Sequence, residues 1–218
     1  VQTGDLRHVS EHEGEADFAP QYFSIDNSSL YYLTDLGSEF KHLRKMDISS
    51  GESESVFEDN WDVWYAYESY GGKYRVIGVN NDGKTIVRVF DLATNSEVDF
   101  PDIDGRSISS VSISRNEEKM RLTAASSKQP SDIYVYDFAT KEYERLTDNL
   151  NPEIDPADLV EAEVVRYKSF DGLEVPAIYY KPKVASADNK VPAMVWVHGG
   201  PGGQSRQTYF ALIQYMVN

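Results

Sequence analysis

Between residues 1 and 155 the sequence returns on itself at an interval of about 45 residues, the length of one four-stranded propeller blade. Three markers carry the repeat. An aspartate follows an apolar strand in Met46-Asp47-Ile48-Ser49-Ser50-Gly51, Phe90-Asp91-Leu92-Ala93-Thr94-Asn95 and Tyr136-Asp137-Phe138-Ala139-Thr140-Lys141, at intervals of 44 and 46 residues. A serine precedes a second apolar strand at Ser24, Ser69 and Ser114, each 45 apart. A third marker closes each unit, at Val9-Ser10, Val56-Phe57, Phe100-Pro101 and Leu146-Thr147. Four strands fit into each interval, so the markers in register predict the blades of a β-propeller.

Each unit holds short β-rich runs, such as Ile86-Val87-Arg88-Val89-Phe90 and Ile133-Tyr134-Val135-Tyr136, broken by turns such as Asn80-Asn81-Asp82-Gly83. Three full units fit from about residue 11 to residue 150, with residues 1–10 read as the last strand of an earlier blade. A propeller closes with about four to eight blades, so this ring is partial. Asp47, Asp91 and Asp137 are expected to bind backbone N–H groups in the turn after the third strand, a structural duty. Tyr31, Tyr32, Tyr65, Tyr67, Tyr134 and Tyr136 are expected to fill the spaces between packed blades. Trp61 and Trp64, at the first strand of the second unit, are candidates for facing substrate.

From Asn151 the repeat stops. Asn151-Pro152-Glu153-Ile154-Asp155-Pro156 is a proline-punctuated connector. Val164–Phe170 and Leu173–Tyr180 flank Asp171-Gly172 and predict a hairpin. A polar loop leads to Val191-Pro192-Ala193-Met194-Val195-Trp196-Val197, expected as a buried strand, then His198-Gly199-Gly200-Pro201-Gly202-Gly203, then a helical segment from Tyr209 to Val217. Glycines let a backbone turn sharply and offer bare N–H groups. Such groups can stabilise the oxyanion of acyl transfer, and in α/β-hydrolases one donor comes from the loop after the third strand. A tight Gly-Pro turn joining strand to helix is the plainer alternative.

A propeller running into Asp171-Gly172, Pro176-Ala177, Lys181-Pro182 and Trp196-Val197-His198-Gly199-Gly200-Pro201-Gly202-Gly203 resembles the prolyl oligopeptidase family of serine peptidases. Within it the chain is most similar to the acylaminoacyl-peptidase and dipeptidyl-peptidase-like branch. The resemblance implies a mostly β chain: a partial β-propeller of about three four-stranded blades over residues 1–155, followed over 156–218 by the first strands and first helix of an α/β-hydrolase catalytic domain. It implies a parent enzyme that hydrolyses short peptides or releases N-terminal, possibly acylated, residues, the propeller gating access and no cofactor taking part. Gly200 then supplies an oxyanion N–H, Gly199 and Pro201 shape the loop, and His198 orients it without being the catalytic base. The expected partners are a peptide substrate and the remainder of the catalytic domain or a complementary chain.

The 218 residues contain no Gly-x-Ser-x-Gly. In α/β-hydrolases the nucleophile, acid and base all follow this loop, so the segment alone is expected to be inactive, and to be unstable unless its sheet edges are covered. Two other readings compete. One is a non-enzymatic TolB-like propeller acting as an interaction module; the other, a proline iminopeptidase, requires that residues 1–155 form no propeller.

Charge and composition narrow the partners further. With 21 basic and 36 acidic side chains the net charge is −15, which repels nucleic acid and anionic membrane. Cysteine is absent, which excludes disulfides and thiolate metal sites. No apolar run approaches the roughly 20 residues of a membrane helix. The first residues lack a signal-peptide pattern, and the compartment is open with a slight lean to the cytoplasm. His8 and His12, beside Glu11, Glu13 and Glu15, are read as a solvated loop and not as metal ligands, and His42 as a strand position. Asp155, Asp158, Glu161 and Glu163 are read as a solvated linker.

Overall fold

The computed structural model describes residues 4–218 apart from Pro101, Asp104 and Pro201. The described residues form two compact units. One takes the residues up to Asn80 with Val87–Val98 and Arg115–Glu117; the other takes Asn81–Ile86, Asp99–Ser114 and Glu118–Asn218.

The expected repeat is present as three four-stranded antiparallel sheets, each a meander of sequential strands. The first contains β1 (Phe18–Phe23), β2 (Ser29–Thr34), β3 (His42–Asp47) and β4 (Ser53–Phe57); the second β5 (Val63–Glu68), β6 (Tyr74–Asn81), β7 (Lys84–Asp91) and β8 (Ser96–Glu97). The third contains β9 (Ser107–Ile113), β10 (Lys119–Ala125), β11 (Asp132–Asp137) and β12 (Tyr143–Arg145).

The markers are the turn chemistry of these sheets. Asp47 Oδ1 accepts the N–H groups of Ser49 and Ser50, Asp91 Oδ1 those of Ala93 and Thr94, and Asp137 Oδ1 those of Ala139 and Thr140. Bonds from both serines hold the Asp47 carboxyl down at about 2, so it stays ionised and the turn stays closed at neutral pH.

The serines close the first turn of each four-stranded sheet. The N–H of Ser24 donates to Ser29 O while Ser24 Oγ accepts the Ser29 N–H; Ser69 with Tyr74 and Ser114 with Lys119 repeat this pair of bonds. Ser69 is buried and also donates to Glu117, whose carboxylate accepts the Gly71 and Lys73 N–H groups as well. Burial works to raise the Glu117 carboxyl, but these donors outweigh it and hold the group below its ordinary value. Ser69→Ala is therefore expected to cost about 1–3 kcal/mol, the penalty of stranding buried partners. Ser24→Ala, whose turn carries its own Asp26, is expected to cost less; the two midpoints of urea denaturation compare them.

In the first unit, Tyr31, Leu33 and Leu43 pack with Val63, Ala66, Ile77 and Val79 in one buried cluster. Each of its valine, leucine and isoleucine side chains contributes about 1.5–3 kcal/mol by leaving water. Beside it, Arg75 donates to Tyr22, Tyr31 and Glu68, so the charge enters the packing paired with a carboxylate. The first strand of each four-stranded sheet carries a bulge, with Gln21, Trp64 and Ser109 as the extra residues. A bulge re-aims its side chain. Gln21 uses this to accept the Ala66 N–H, and Trp64 is left 45% exposed.

In the second unit, Asp132 at the start of β11 is fully buried. Its carboxylate accepts from Arg106, Arg145, the Thr147 hydroxyl and the Asn149 N–H. Beyond the sheets, β13 (Ala162–Lys168) and β14 (Glu174–Tyr180) form the expected hairpin, and α1 (Ala211–Val217) is the expected helix. The hairpin turn is longer than the Asp-Gly pair: the Ser169 N–H donates to Leu173 O, leaving three residues with Gly172 at φ 89°.

Two expectations are corrected. Residues 4–10 form no strand; they are mostly exposed, and Arg7 donates to Ile48 O. Residues 191–197 are neither strand nor buried: Val195 and Val197 are more than four-fifths exposed. β13 and β14 pair only with each other, and an extended run without neighbours has no ladder to join. Asp155, Asp158, Glu161 and Glu163 are exposed, as expected of a solvated linker, while Leu159 and Val160 among them are buried and Glu161 accepts from Ser127 Oγ. Of the tyrosines, Tyr31, Tyr32, Tyr134 and Tyr136 are buried, while Tyr65 and Tyr67 are half-buried.

Candidate active site

The glycine loop is framed by two aromatic residues. Trp196, two residues before His198, meets Phe210, the residue capping α1, edge to face at 5.9 Å. This contact brings the two arms of the loop together although the strand before it is not formed.

Within the loop, Gly200 holds φ 69°, a left-handed conformation that a glycine adopts without a Cβ penalty. Its carbonyl accepts the Gly203 N–H at 3.0 Å, which closes the turn. Gly203 is required by space: a Cβ there would fall 2.4 Å from Gly199 O and 2.9 Å from His198 Nδ1. The imidazole of His198 thus lies against Gly203. Gly199 and Gly200 are exposed, and neither N–H donates to a described backbone carbonyl. Pro201 lies outside the described residues.

The chain after the loop is held by residues far away in sequence. Gln207 N–H donates to Gly83 O at 3.2 Å, and Arg206 Nη2 donates to Thr85 Oγ1 at 2.6 Å. Arg166 on β13 pairs with Asp82 at 2.7 Å, so hairpin and loop arm meet the same β6–β7 turn. Asp82 and Gly83 both have positive φ, at 50° and 82°, the two-residue turn that an Asp-Gly pair favours.

Helix α1 is anchored by its one buried residue, Gln214. Its amide accepts the Val160 N–H and donates to the carbonyls of Val160 and Ser127, all at 2.8–2.9 Å. Leu212, Tyr215 and Met216 are exposed instead.

The other candidates separate from this site by structure. His8 bonds Ser10 Oγ and His12 bonds Ser10 O, and no group of three or more metal-ligating side chains occurs among the described residues. His42 is buried in β3. Trp61 packs against the first unit's core, whereas Trp64 presents its ring to solvent. Apolar periodicity could not have found Gln214 or Arg206, because both act through single polar contacts with partners distant in sequence.

A family model for the prolyl oligopeptidase N-terminal β-propeller domain matches residues 13–149, more than half of the chain. The chain belongs to the prolyl oligopeptidase family. The dipeptidyl aminopeptidase BIII of Pseudoxanthomonas mexicana is 24% identical over 209 residues, covering 92% of this chain and 30% of that protein. A solved prolyl endopeptidase superposes with a TM-score of 0.77 at 19% identity, over 98% of this chain and 31% of its own. A solved puromycin hydrolase superposes at 0.73 and 19%, over 93% and 32%. The prolyl oligopeptidase B of Galerina marginata, solved with a 35-residue substrate, gives 0.64 and 22%, over 80% and 25%.

This prolyl oligopeptidase-family chain thus spans about a third of the relatives it matches. Three four-stranded sheets within residues 18–145 remove the iminopeptidase reading, which required that no propeller be there. Family membership likewise disfavours the stand-alone TolB-like module.

Proposed function

We propose that these residues are part of a serine peptidase acting on short peptides, in which a propeller gates access and residues 156–218 begin the α/β-hydrolase domain. The supporting observation is the Gly200 backbone, held left-handed beside an exposed Gly199 in a family whose relatives are peptidases. Gly200 N–H supplies one donor to the oxyanion, worth about 3–4 kcal/mol of transition-state stabilisation in such sites. His198 and Pro201 shape the loop around it. The second donor, the nucleophilic serine and its acid and base come from sequence outside these 218 residues. Among peptidases, the chain is assigned to the dipeptidyl- or acylaminoacyl-releasing branch, and Trp64 is a candidate contact for the peptide.

A fluorophosphonate probe tests this reading. The full-length protein is expected to be labelled on one serine within a Gly-x-Ser-x-Gly sequence and to release N-terminal dipeptides or acylated residues from chromogenic amides. The 218-residue polypeptide is expected to show neither reaction. A full-length protein inert to the probe and to every such amide would overturn the peptidase assignment.

A further inference from the structure

A loop with four glycines in six residues cannot hold a donor in place by itself, because glycine has the largest conformational freedom to lose. Catalytic donors act by being fixed before charge develops. Something outside His198–Gly203 must therefore set the loop's position.

On one side the loop is followed within three residues by Arg206. Three residues of extended chain span at most about 11 Å, so whatever fixes Arg206 also restricts Gly203 and the turn it closes. What fixes it is the β6–β7 turn. Thr85 Oγ1 accepts from the guanidinium and Gly83 O accepts the Gln207 N–H. A Cβ on Gly83 would sit 3.5 Å from Ser205 O and 3.6 Å from Ile178 Cδ1, so the loop arm and β14 both rest against this glycine. Asp82, next to it, is tied to Arg166 of β13. Burial pushes the Arg206 guanidinium below its ordinary pKa, in keeping with a group set into packing and not trailing in solvent.

We infer that the β6–β7 turn, Asp82 to Thr85, is the seat of the glycine loop, and that Arg206 is a positioning residue coupling a propeller strand turn to the oxyanion donor. This rests on reading His198–Gly203 as the oxyanion loop. The turn belongs to the repeat by sequence, yet it clusters with the residues of the loop and hairpin. A turn whose only duty was to join two strands would need no partner of this kind.

The test uses the full-length protein with Thr85→Val, which keeps shape and loses the acceptor, Arg206→Met, and Thr85→Ser, which keeps the hydroxyl. Two quantities are read: kcat and KM on a peptide amide, and amide hydrogen exchange across residues 198–205. Thr85→Val and Arg206→Met are each expected to lower kcat between about 10- and 100-fold, as sub-ångström misplacement does, with KM within about twofold. Exchange over 198–205 is expected to quicken about tenfold in both, and the double variant to be no worse than the poorer single one. Thr85→Ser is expected to restore both quantities. Wild-type exchange together with wild-type kcat in both variants overturns the seat. Faster exchange with unchanged kcat shows a seat that serves no oxyanion donor, which overturns the positioning role through the site reading and not through the contact.

Discussion

Replacing Gly200 by valine in the full-length protein is expected to lower kcat on a peptide amide by about 10²- to 10³-fold, the loss seen when one oxyanion donor is removed. The N–H is still present in the variant, but its direction is not. At φ 69° a β-branched side chain is strained against its own backbone, so the residue moves toward the extended region and swings its N–H away. Because the donor acts mainly in the transition state, KM is expected to stay within about threefold. Gly202 provides the comparison. Its backbone is outside the left-handed region and a Cβ there would meet nothing within 4 Å, so Gly202→Ala is expected to keep kcat within about threefold. Equal losses at the two positions would show that loop flexibility, and not the Gly200 N–H, matters to the chemistry.

The second large effect is on stability. Asp132→Ala removes a carboxylate that is fully buried and leaves Arg106, Arg145, Thr147 and the Asn149 N–H without their shared acceptor. Breaking a buried pair in this way costs about 3–5 kcal/mol. At ordinary urea dependence this corresponds to a midpoint lowered by about 1–3 M. Asp132→Asn keeps one oxygen for Thr147 and Asn149 and is expected to lose less. The same group gives a pH dependence with a definite sign. Burial works to raise its pKa, but the bonds from Arg145, Asn149 and Thr147 outweigh it and the carboxyl lies below its ordinary value. Its contribution is therefore complete above the unfolded pKa of about 4 and declines as pH falls through the lower folded value. In Asp132→Asn that part of the acid dependence should disappear. A wild-type midpoint that does not change between neutral pH and pH about 3 would show that the native and unfolded carboxyl bind protons alike.

The order of the elements was legible because the signals that set it are local. An aspartate two and three residues before the N–H groups it binds, a serine five residues before its partner, and an Asp-Gly turn between apolar runs all act within a few residues. Each could be recognised without knowing what lay across the fold. The three sheets, the hairpin of β13 and β14 and the helix after the glycine loop were accordingly expected where they occur. The left-handed glycine of the loop belongs to the same class, since only local crowding decides it.

What required the tertiary structure is every contact whose partner is remote. An apolar run such as Met194–Val197 states that burial would be favourable but does not supply the neighbouring strand, and without one among the described residues it stays exposed. Helix α1 shows the converse: Leu212, Tyr215 and Met216 are exposed while Gln214 is buried, because three hydrogen bonds to Val160 and Ser127 satisfy the amide there. Arg206 is an unremarkable polar residue in sequence and becomes an anchor only when folding brings Thr85, 121 positions away, within 2.6 Å. The sequence by itself determined the repeat, its turns and the presence of the glycine loop, because those follow from steric and hydrogen-bonding rules acting between near neighbours. Only the tertiary structure decided which turn the loop rests on, because hydrogen bonds between distant residues leave no periodicity in the chain.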